Sequence, residues 1–511
     1  MVPPPMINAV EASVLDRNAE YLGVSTLQLM ENAGRAVADL IAARFVAGNS
    51  VVVYSGVGRN GGDGMVAARQ LAGRGFNVVL RLVGSTKAIT DPIVRQNWVA
   101  LKSMTTSVQI EECADSSLIS RTVSDIVVDA LLGTGAKGKP RQPILRAVQV
   151  INESGGFKLA VDVPTGVDAD TGDVLGEAVR ANSTVTFHAM KQGLTRAREF
   201  CGEVCVVDIG IPPEASTYAG PGDIENVNVS RPALAHKGQY GQLLVIGGSE
   251  TYTGAPALVA LAASRTGTDL VFVASPERSA NVVSSMSPNL ISLKLSGDSL
   301  TPRHVQILRT HIERASAVAI GPGLGRTAST QFAVRRILTE LRRLQKPVLV
   351  DADALRALGI MRKRIFHEST VLTPHANEFK AITGRSASTE LGARSKEVKT
   401  AAQTGGGVIL LKGNTDVISD GHRVRLSRTG NPGMTVGGTG DVLSGIVSGL
   451  LAQGIDGFRA AIAGAFVSGA AGDLAEEELG YHLTATDIIE RIPKVMKDPM
   501  CHKPVLQKRF Q

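Results

Sequence analysis

The stretch Val51-Val52-Val53-Tyr54-Ser55-Gly56-Val57-Gly58-Arg59-Asn60-Gly61-Gly62-Asp63-Gly64 reads as a β-strand that ends in a glycine-rich loop and opens a helix. The strand is predicted over 51–54 and the helix over 65–73, with a second β-branched run at 78–83. Further apolar runs follow at 126–132 and 159–164. Unbroken apolar runs separated by helical patterns indicate a parallel sheet covered on both faces. In such an α/β fold the functional loops gather at the C-terminal strand ends.

The pattern breaks near 209–213, and the chain to Pro232 is rich in Pro, Gly and Asn, which marks a linker. A second series of strands is predicted at 242–248, 270–274, 317–323, 348–353 and 408–413. A chain of 511 residues exceeds one ordinary core. We therefore expect two α/β domains, 1–225 and 226–511, that share a style but no motif-level repeat.

Charge is uneven. Residues 1–228 hold 20 Lys and Arg against 24 Asp and Glu, and the remainder holds 34 against 23. A basic second half suits a nucleotide-phosphate ligand and also plain solubility. Its densest stretches, from Arg335-Arg336 to Lys346 and Arg362-Lys363-Arg364, have helical spacing and read as solvated faces. Only 4% of residues are aromatic, too few for platforms that stack single-stranded nucleic acid, so no specific nucleic acid is expected. Four cysteines do not make a disulfide framework. Cys201 and Cys205 are expected on one strand face as buried thiols. No apolar run is long enough to span a membrane, and the N-terminal twenty residues lack a basic start and apolar core. We expect a cytoplasmic protein without a membrane partner, and a homo-oligomer.

Two constellations carry chemistry. In the first half, the glycines of 56–64 would permit positive φ and close ligand approach, although the run is not the G-x-G-x-x-G fingerprint. Asp129 precedes the glycine-rich run Gly133-Thr134-Gly135-Ala136-Lys137-Gly138, and Asp162 precedes Pro164-Thr165-Gly166. A parallel sheet brings these strand ends to one rim, where the oxygens of Asn60, Asp129 and Thr165 suit a hard cation. Each aspartate equally reads as the cap of a following helix.

In the second half, Asn431-Pro432-Gly433-Met434-Thr435-Val436-Gly437-Gly438-Thr439-Gly440-Asp441 runs into a small, apolar helix. Bared backbone N–H groups and a helix N-terminus make an anion hole, and Asp441 puts a base beside it, as phosphoryl transfer needs. Lys412-Gly413-Asn414-Thr415-Asp416 ends a strand with a charge, a hydroxyl and backbone donors. His375 stands in Thr373-Pro374-His375-Ala376-Asn377-Glu378-Phe379, and Gly321-Pro322-Gly323-Leu324-Gly325 is a further strand-end loop. The small residues of Tyr252-Thr253-Gly254-Ala255-Pro256-Ala257 leave room for a bulky planar ligand. Asp351 and Asp353 read as helix caps in preference to metal or water ligands.

The first-half motifs, with Met30-Glu31-Asn32-Ala33-Gly34, resemble the NAD(P)H-hydrate epimerase family over about 6–213. The resemblance implies a Rossmann-like domain that interconverts R and S hydrates of NAD(P)H. It implies a potassium ion on Asn60, Asp129 and Thr165. It assigns the hydrate to Arg59, Asn60, Gly61, Gly62 and Asp63, to Gly133, Thr134, Gly135, Ala136, Lys137, Gly138 and Lys139, and to Asp162. The family has Asn at the Arg59 position and Ser at the Thr165 position. Thr keeps the hydroxyl, whereas Arg59 would either pair with a ligand phosphate or crowd the pocket. A positioned proton-transfer group is needed at the pocket floor, and Asp162 is the candidate acid/base.

The second-half motifs resemble the ADP/ATP-dependent NAD(P)H-hydrate dehydratases of the ribokinase-like superfamily, from about 230 to 494. That resemblance assigns the hydrate to Ala255, Gly323, His375 and Asp441. It assigns ADP to Lys412, Gly413, Asn414, Thr415 and Asp416, and to Asn431, Pro432, Gly433, Met434, Thr435, Val436, Gly437, Gly438, Thr439 and Gly440. Asp441 is then the catalytic base, with Mg²⁺ on the nucleotide phosphates. The rival reading is a small-molecule kinase of the same superfamily with an inactive first domain.

Overall fold

The computed structural model describes residues 6–121, 123–228 and 231–508. Two compact units result, Met1–Pro212 and Pro213–Gln511. Of the expected linker, Val229 and Ser230 lie outside the described residues, as do the first five residues of the N-terminal stretch.

The first unit is built on a seven-stranded sheet in the order Val108–Cys113, Asn77–Val83, Ser50–Ser55, Ile126–Ala130, Phe157–Val161, Ser183–Phe187, Glu203–Val207. Every neighbouring pair is parallel. The order reverses between Ser50–Ser55 and Ile126–Ala130, so the loops after these strands diverge and leave a crevice. The helix expected from residue 65 instead spans Arg59–Ala72. None of Gly56, Gly58, Gly61, Gly62 or Gly64 has positive φ. Their role is close approach: a Cβ on Gly61 would lie 1.9 Å from the Gly56 carbonyl oxygen, and one on Gly64 2.5 Å from the Ala130 Cβ. The helix thus begins within the loop and sits directly on the sheet. The strand expected at 126–132 ends at Ala130, and the one expected at 159–164 ends at Val161, where Asp162 turns the chain with φ 66°.

The second unit carries a nine-stranded sheet, Ile291–Leu295, Leu270–Pro276, Gln242–Ile246, Ala317–Ile320, Val348–Val350, Thr370–Leu372, Val408–Leu411, Asp416–Ser419, Val424–Ser427. The first seven strands are parallel and the last two antiparallel. Residues 412–415 are therefore a hairpin loop. The order reverses between Gln242–Ile246 and Ala317–Ile320. Helices Gly254–Arg265 and Thr439–Ala452 lie side by side, close enough that a Cβ on Gly445 would be 2.3 Å from the Val259 carbonyl oxygen. Helix Gly457–Leu479 is buried from Phe458 to Leu474 with few breaks, as its continuous small and apolar composition requires.

Short helices Glu214–Thr217 and Pro221–Glu225 belong to the second unit. The Ala219 N–H donates to the Leu426 carbonyl at 2.7 Å, and Arg425 pairs with Asp223 at 2.8 Å. The division thus falls before the expected 225/226 boundary. Arg335 to Arg343 lie on helix Ala328–Arg343, but Arg362–Arg364 are irregular rather than helical. Cys201 closes the short helix Arg198–Cys201 while Cys205 lies on Glu203–Val207, so the two do not share a strand face. Among the described residues no helix is long and apolar enough to cross a membrane.

Candidate functional site

At the switch point of the first unit a cavity of about 520 Å³ opens beside Arg59, Asn60 and Asp63 of the glycine-rich helix start. Gly133 to Ala136, Asp162, His188 and Lys191 also line it. Asp162 accepts from the Thr134 N–H at 3.0 Å, from the Thr134 hydroxyl, and from the Thr186 hydroxyl at 3.3 Å. The buried Lys191 ammonium stands 2.8 Å from it. Burial would raise this carboxyl, but Lys191 and the Thr134 hydrogen bonds outweigh it and hold Asp162 below the usual range.

Two further carboxyls line the same cavity and are shifted in the opposite direction. Burial pushes Asp16 up to about 6 against the pull of Arg59, and burial with Asp162 and Asp16 nearby raises Asp63 well above the usual range. Neither side chain has a hydrogen-bond or ion-pair partner among the described residues. Asp16 belongs to helix Ala9–Tyr21, Lys191 to the short strand Met190–Lys191, and no motif marked either one.

Behind the loops, Asp129 accepts from the Thr165 N–H at 2.8 Å and from its hydroxyl at 2.7 Å. Thr165 Oγ1 in turn accepts from the Leu132 N–H at 3.0 Å. Asn60 reaches the same place: a Cβ on Gly133 would meet its Oδ1 at 3.0 Å. Its carboxamide oxygen and nitrogen are both buried without a hydrogen-bond partner among the described residues. Burial pushes Asp129 up to about 6, with only neutral donors from Thr165 and Leu131 against it. An orphaned carboxamide oxygen, a hydroxyl and a cation-poor buried carboxylate fit a hard monovalent ion. Neither Asp129 nor Asp162 caps a helix.

Not every assigned residue reaches the cavity. Gly61 and Gly62 are buried in helix packing. Lys137 points to Asp168 at 3.1 Å and Asp170 at 2.8 Å, while Gly138 and Lys139 are exposed outside the lining. Arg59 neither fills the pocket nor stands free, since its Nε donates to Asp91 at 2.9 Å.

In the second unit the strand-end motifs converge at the start of Thr439–Ala452. The assigned residues do not line the cavities of about 540 and 420 Å³ in this unit, and Lys412, Asp416, Gly440 and Asp441 are half-buried. Asp441 lies in the first turn of Thr439–Ala452, after Gly438 at φ 95°. A Cβ on Gly440 would be 3.4 Å from Lys412 Nζ. Lys412 donates to Asp351 Oδ1 at 3.1 Å, and Ser444 donates to Asp351 Oδ2 at 2.7 Å. Asp351 thus serves the site rather than capping its helix, and Asp353 accepts from the Gly325 N–H at 3.0 Å. Burial and the nearby Asp351 push Asp441 up to about 7, against the attraction of Lys412. A carboxyl poised there is suited to accept a proton at neutral pH.

Ala255 and Gly323 adjoin, since a Cβ on Gly323 would lie 3.4 Å from the Ala255 Cβ. His375 caps helix Ala376–Thr383, its Nδ1 accepting from the Asn377 N–H at 3.1 Å, and its Nε2 lies 3.3 Å from Glu378. In the hairpin loop the Gly413 N–H donates to Asp416, whose carboxyl burial pushes up to about 6. Glu378 and Arg394 were not singled out in the sequence. Glu378 lies within electrostatic reach of Lys412 and Asp351, and Arg394 donates to the Thr415 carbonyl.

A family model described as NAD(P)H-hydrate dehydratase matches residues 243–494, and one described as YjeF-related protein N-terminus matches 26–193. The chain is 44% identical to the bifunctional NAD(P)H-hydrate repair enzyme of Hyperthermus butylicus, covering 97% of this chain and 93% of that one. It is 45% identical to the enzyme of that description from Pyrobaculum aerophilum, covering 96% and 98%. Among solved structures, the ADP/ATP-dependent NAD(P)H-hydrate dehydratase from Bacillus subtilis, co-crystallised with ATP and Mg²⁺, is 29% identical. It covers 55% of this chain and 98% of that one, with a TM-score of 0.47.

Proposed function

The chain belongs to the bifunctional NAD(P)H-hydrate repair enzymes, and from that premise we propose that it mends hydrated nicotinamide cofactors in two steps. The first unit interconverts the R and S hydrates. The second dehydrates the S hydrate to NAD(P)H at the expense of ADP, leaving AMP and phosphate. The relatives carry this reading and not that of a kinase with an inert first domain.

In the first unit, epimerisation opens and recloses a bond at the hydrated ring carbon. Asp63, the carboxyl raised furthest, gives a proton to the departing oxygen, and ionised Asp162 accepts one as oxygen returns. Asn60, Asp129 and Thr165 would hold potassium, which supplies a fixed positive charge beside the glycine-rich loops. In the second unit, Asp441 takes the proton of the ring hydroxyl as that oxygen attacks the β-phosphorus, and the bond from phosphorus to AMP breaks. The ring-nitrogen lone pair then expels phosphate, a far better leaving group than hydroxide. Loss of a proton from the neighbouring ring carbon restores the double bond. Lys412 and the backbone N–H groups of 437–440 meet the phosphates. Mg²⁺ would be carried chiefly by the nucleotide itself. Four free thiols suit the reducing cytoplasm.

The observation that carries the reaction is the junction of Asp441, Lys412 and Asp351 at the start of Thr439–Ala452. Incubating S hydrate with ADP should restore dihydronicotinamide absorbance. Asp441→Asn should abolish that recovery while R/S interconversion continues. AMP formed without recovered absorbance would instead establish the kinase reading.

A further inference from the structure

The nucleotide loop is anchored from behind by a group near the end of the chain. Asp473, fully buried on helix Gly457–Leu479, accepts from the Gly430 N–H at 2.9 Å through Oδ2. Its Oδ1 accepts from the Asn431 amide at 3.0 Å. Asn431 also donates to the Gly472 carbonyl at 3.0 Å and accepts from the Gly433 N–H at 2.9 Å. The same helix presents Gly469 and Gly472 to this loop, where a Cβ would lie 2.3 Å from Thr429 Oγ1 and 2.2 Å from the Met434 sulfur. The loop therefore rests on bare helix backbone and is pinned at its first two residues.

His502 completes this arrangement. It lies in the turn Pro499–His502, wholly buried, with Nε2 2.8 Å from Asp473 Oδ2 and its ring edge-on to Phe466 at 5.9 Å. The following helix Lys503–Lys508 buries Val505 and Leu506, and Lys508 pairs with Glu477 at 2.6 Å. A buried carboxylate that accepts from Gly430, Asn431 and His502 among the described residues needs a fixed orientation, and a buried imidazole N–H helps supply it.

We propose that His502, acting through Asp473, is a positioning residue for the adenine-nucleotide loop. The C-terminal turn would thereby set ADP affinity without touching ADP. This rests on the proposed use of residues 431–440 by ADP. Asp473 is held ionised, since the hydrogen bonds from His502, Gly430 and Asn431 outweigh the burial that would raise it.

The test compares full-length wild type with His502→Leu, which keeps bulk but no donor, and His502→Gln, which keeps a donor. ADP binding is followed by titration calorimetry, and steady-state constants by restored absorbance. The Leu variant should raise KM and Kd for ADP about tenfold, with kcat and KM for the S hydrate little changed. The Gln variant should recover most of that loss, and epimerisation by the same preparations should not move. Where the Leu variant fails to fold, Asp473→Asn, equal in size, should show the ADP-specific effect. An unaltered ADP constant, or a fall in kcat alone, overturns the proposal. Wild type that binds ADP but restores no absorbance overturns the activity, and the calorimetric comparison then judges the loop by itself. Wild type that fails to bind ADP overturns both.

Discussion

A carboxyl held near neutrality at position 441 makes a prediction about pH. The base must be ionised to accept the hydroxyl proton, and burial with Asp351 pushes Asp441 up to about 7. The dehydration kcat/KM should therefore fall about tenfold per pH unit below about 7 and level off above it. A flat profile between pH 5.5 and 8 would remove Asp441 as the base. The same shift has an opposite sign for stability. Its contribution is fully present below the unfolded carboxylate value and is lost as pH rises through about 7. In the first unit, the orphaned carboxamide of Asn60 predicts that KCl raises the unfolding temperature and LiCl does not. Asn60→Ala should erase the difference, and equal shifts with both salts would refute the potassium assignment. Asn60, Asp129 and Asp441 were legible in the sequence as strand-end or helix-start polar groups. Asp16 and Lys191 were not, because their local sequence is that of an ordinary helix and strand.

Among the elements, the helix starting at Arg59 uses its glycines for packing rather than for positive φ. The sequence suggested backbone freedom, but the run is helical and its glycines admit the neighbouring backbone. Gly61→Ala puts a methyl group against the Gly56 carbonyl, and rigid backbone on both sides cannot yield. The expected cost is about 3 kcal/mol, or about 10 °C in the first unit's transition by calorimetry, with S-hydrate dehydration intact. An unchanged transition would show that the loop, not the packing, needs glycine. The sequence likewise marks 412–415 only as a strand end, whereas the chain makes a hairpin there. The antiparallel return through Asp416–Ser419 depends on which neighbour the next strand pairs with, and alternation of residue types does not record that.

At the scale of the whole molecule, the division at 212/213 implies that a fragment beginning at 213 keeps the Asp223–Arg425 pair and the Ala219–Leu426 hydrogen bond. One beginning at 226 loses both and should be less stable by about 3 kcal/mol in urea unfolding. Equal midpoints would place the boundary at 225/226 after all. The amino-acid sequence by itself determined two parallel α/β units, the strand-end positions of the motifs and the glycine-rich run of 431–440 that leads into the helix carrying Asp441. Hydrophobic period and glycine-rich strand ends are local properties, written wherever the chain has them. Only the tertiary structure decided that Asp16 and Lys191 join Asp162, that Asp351 serves Lys412, and that His502 braces the loop at 430 through Asp473. Those contacts bridge tens to more than a hundred residues, and their partners become neighbours only when sheet order and helix packing bring distant segments together.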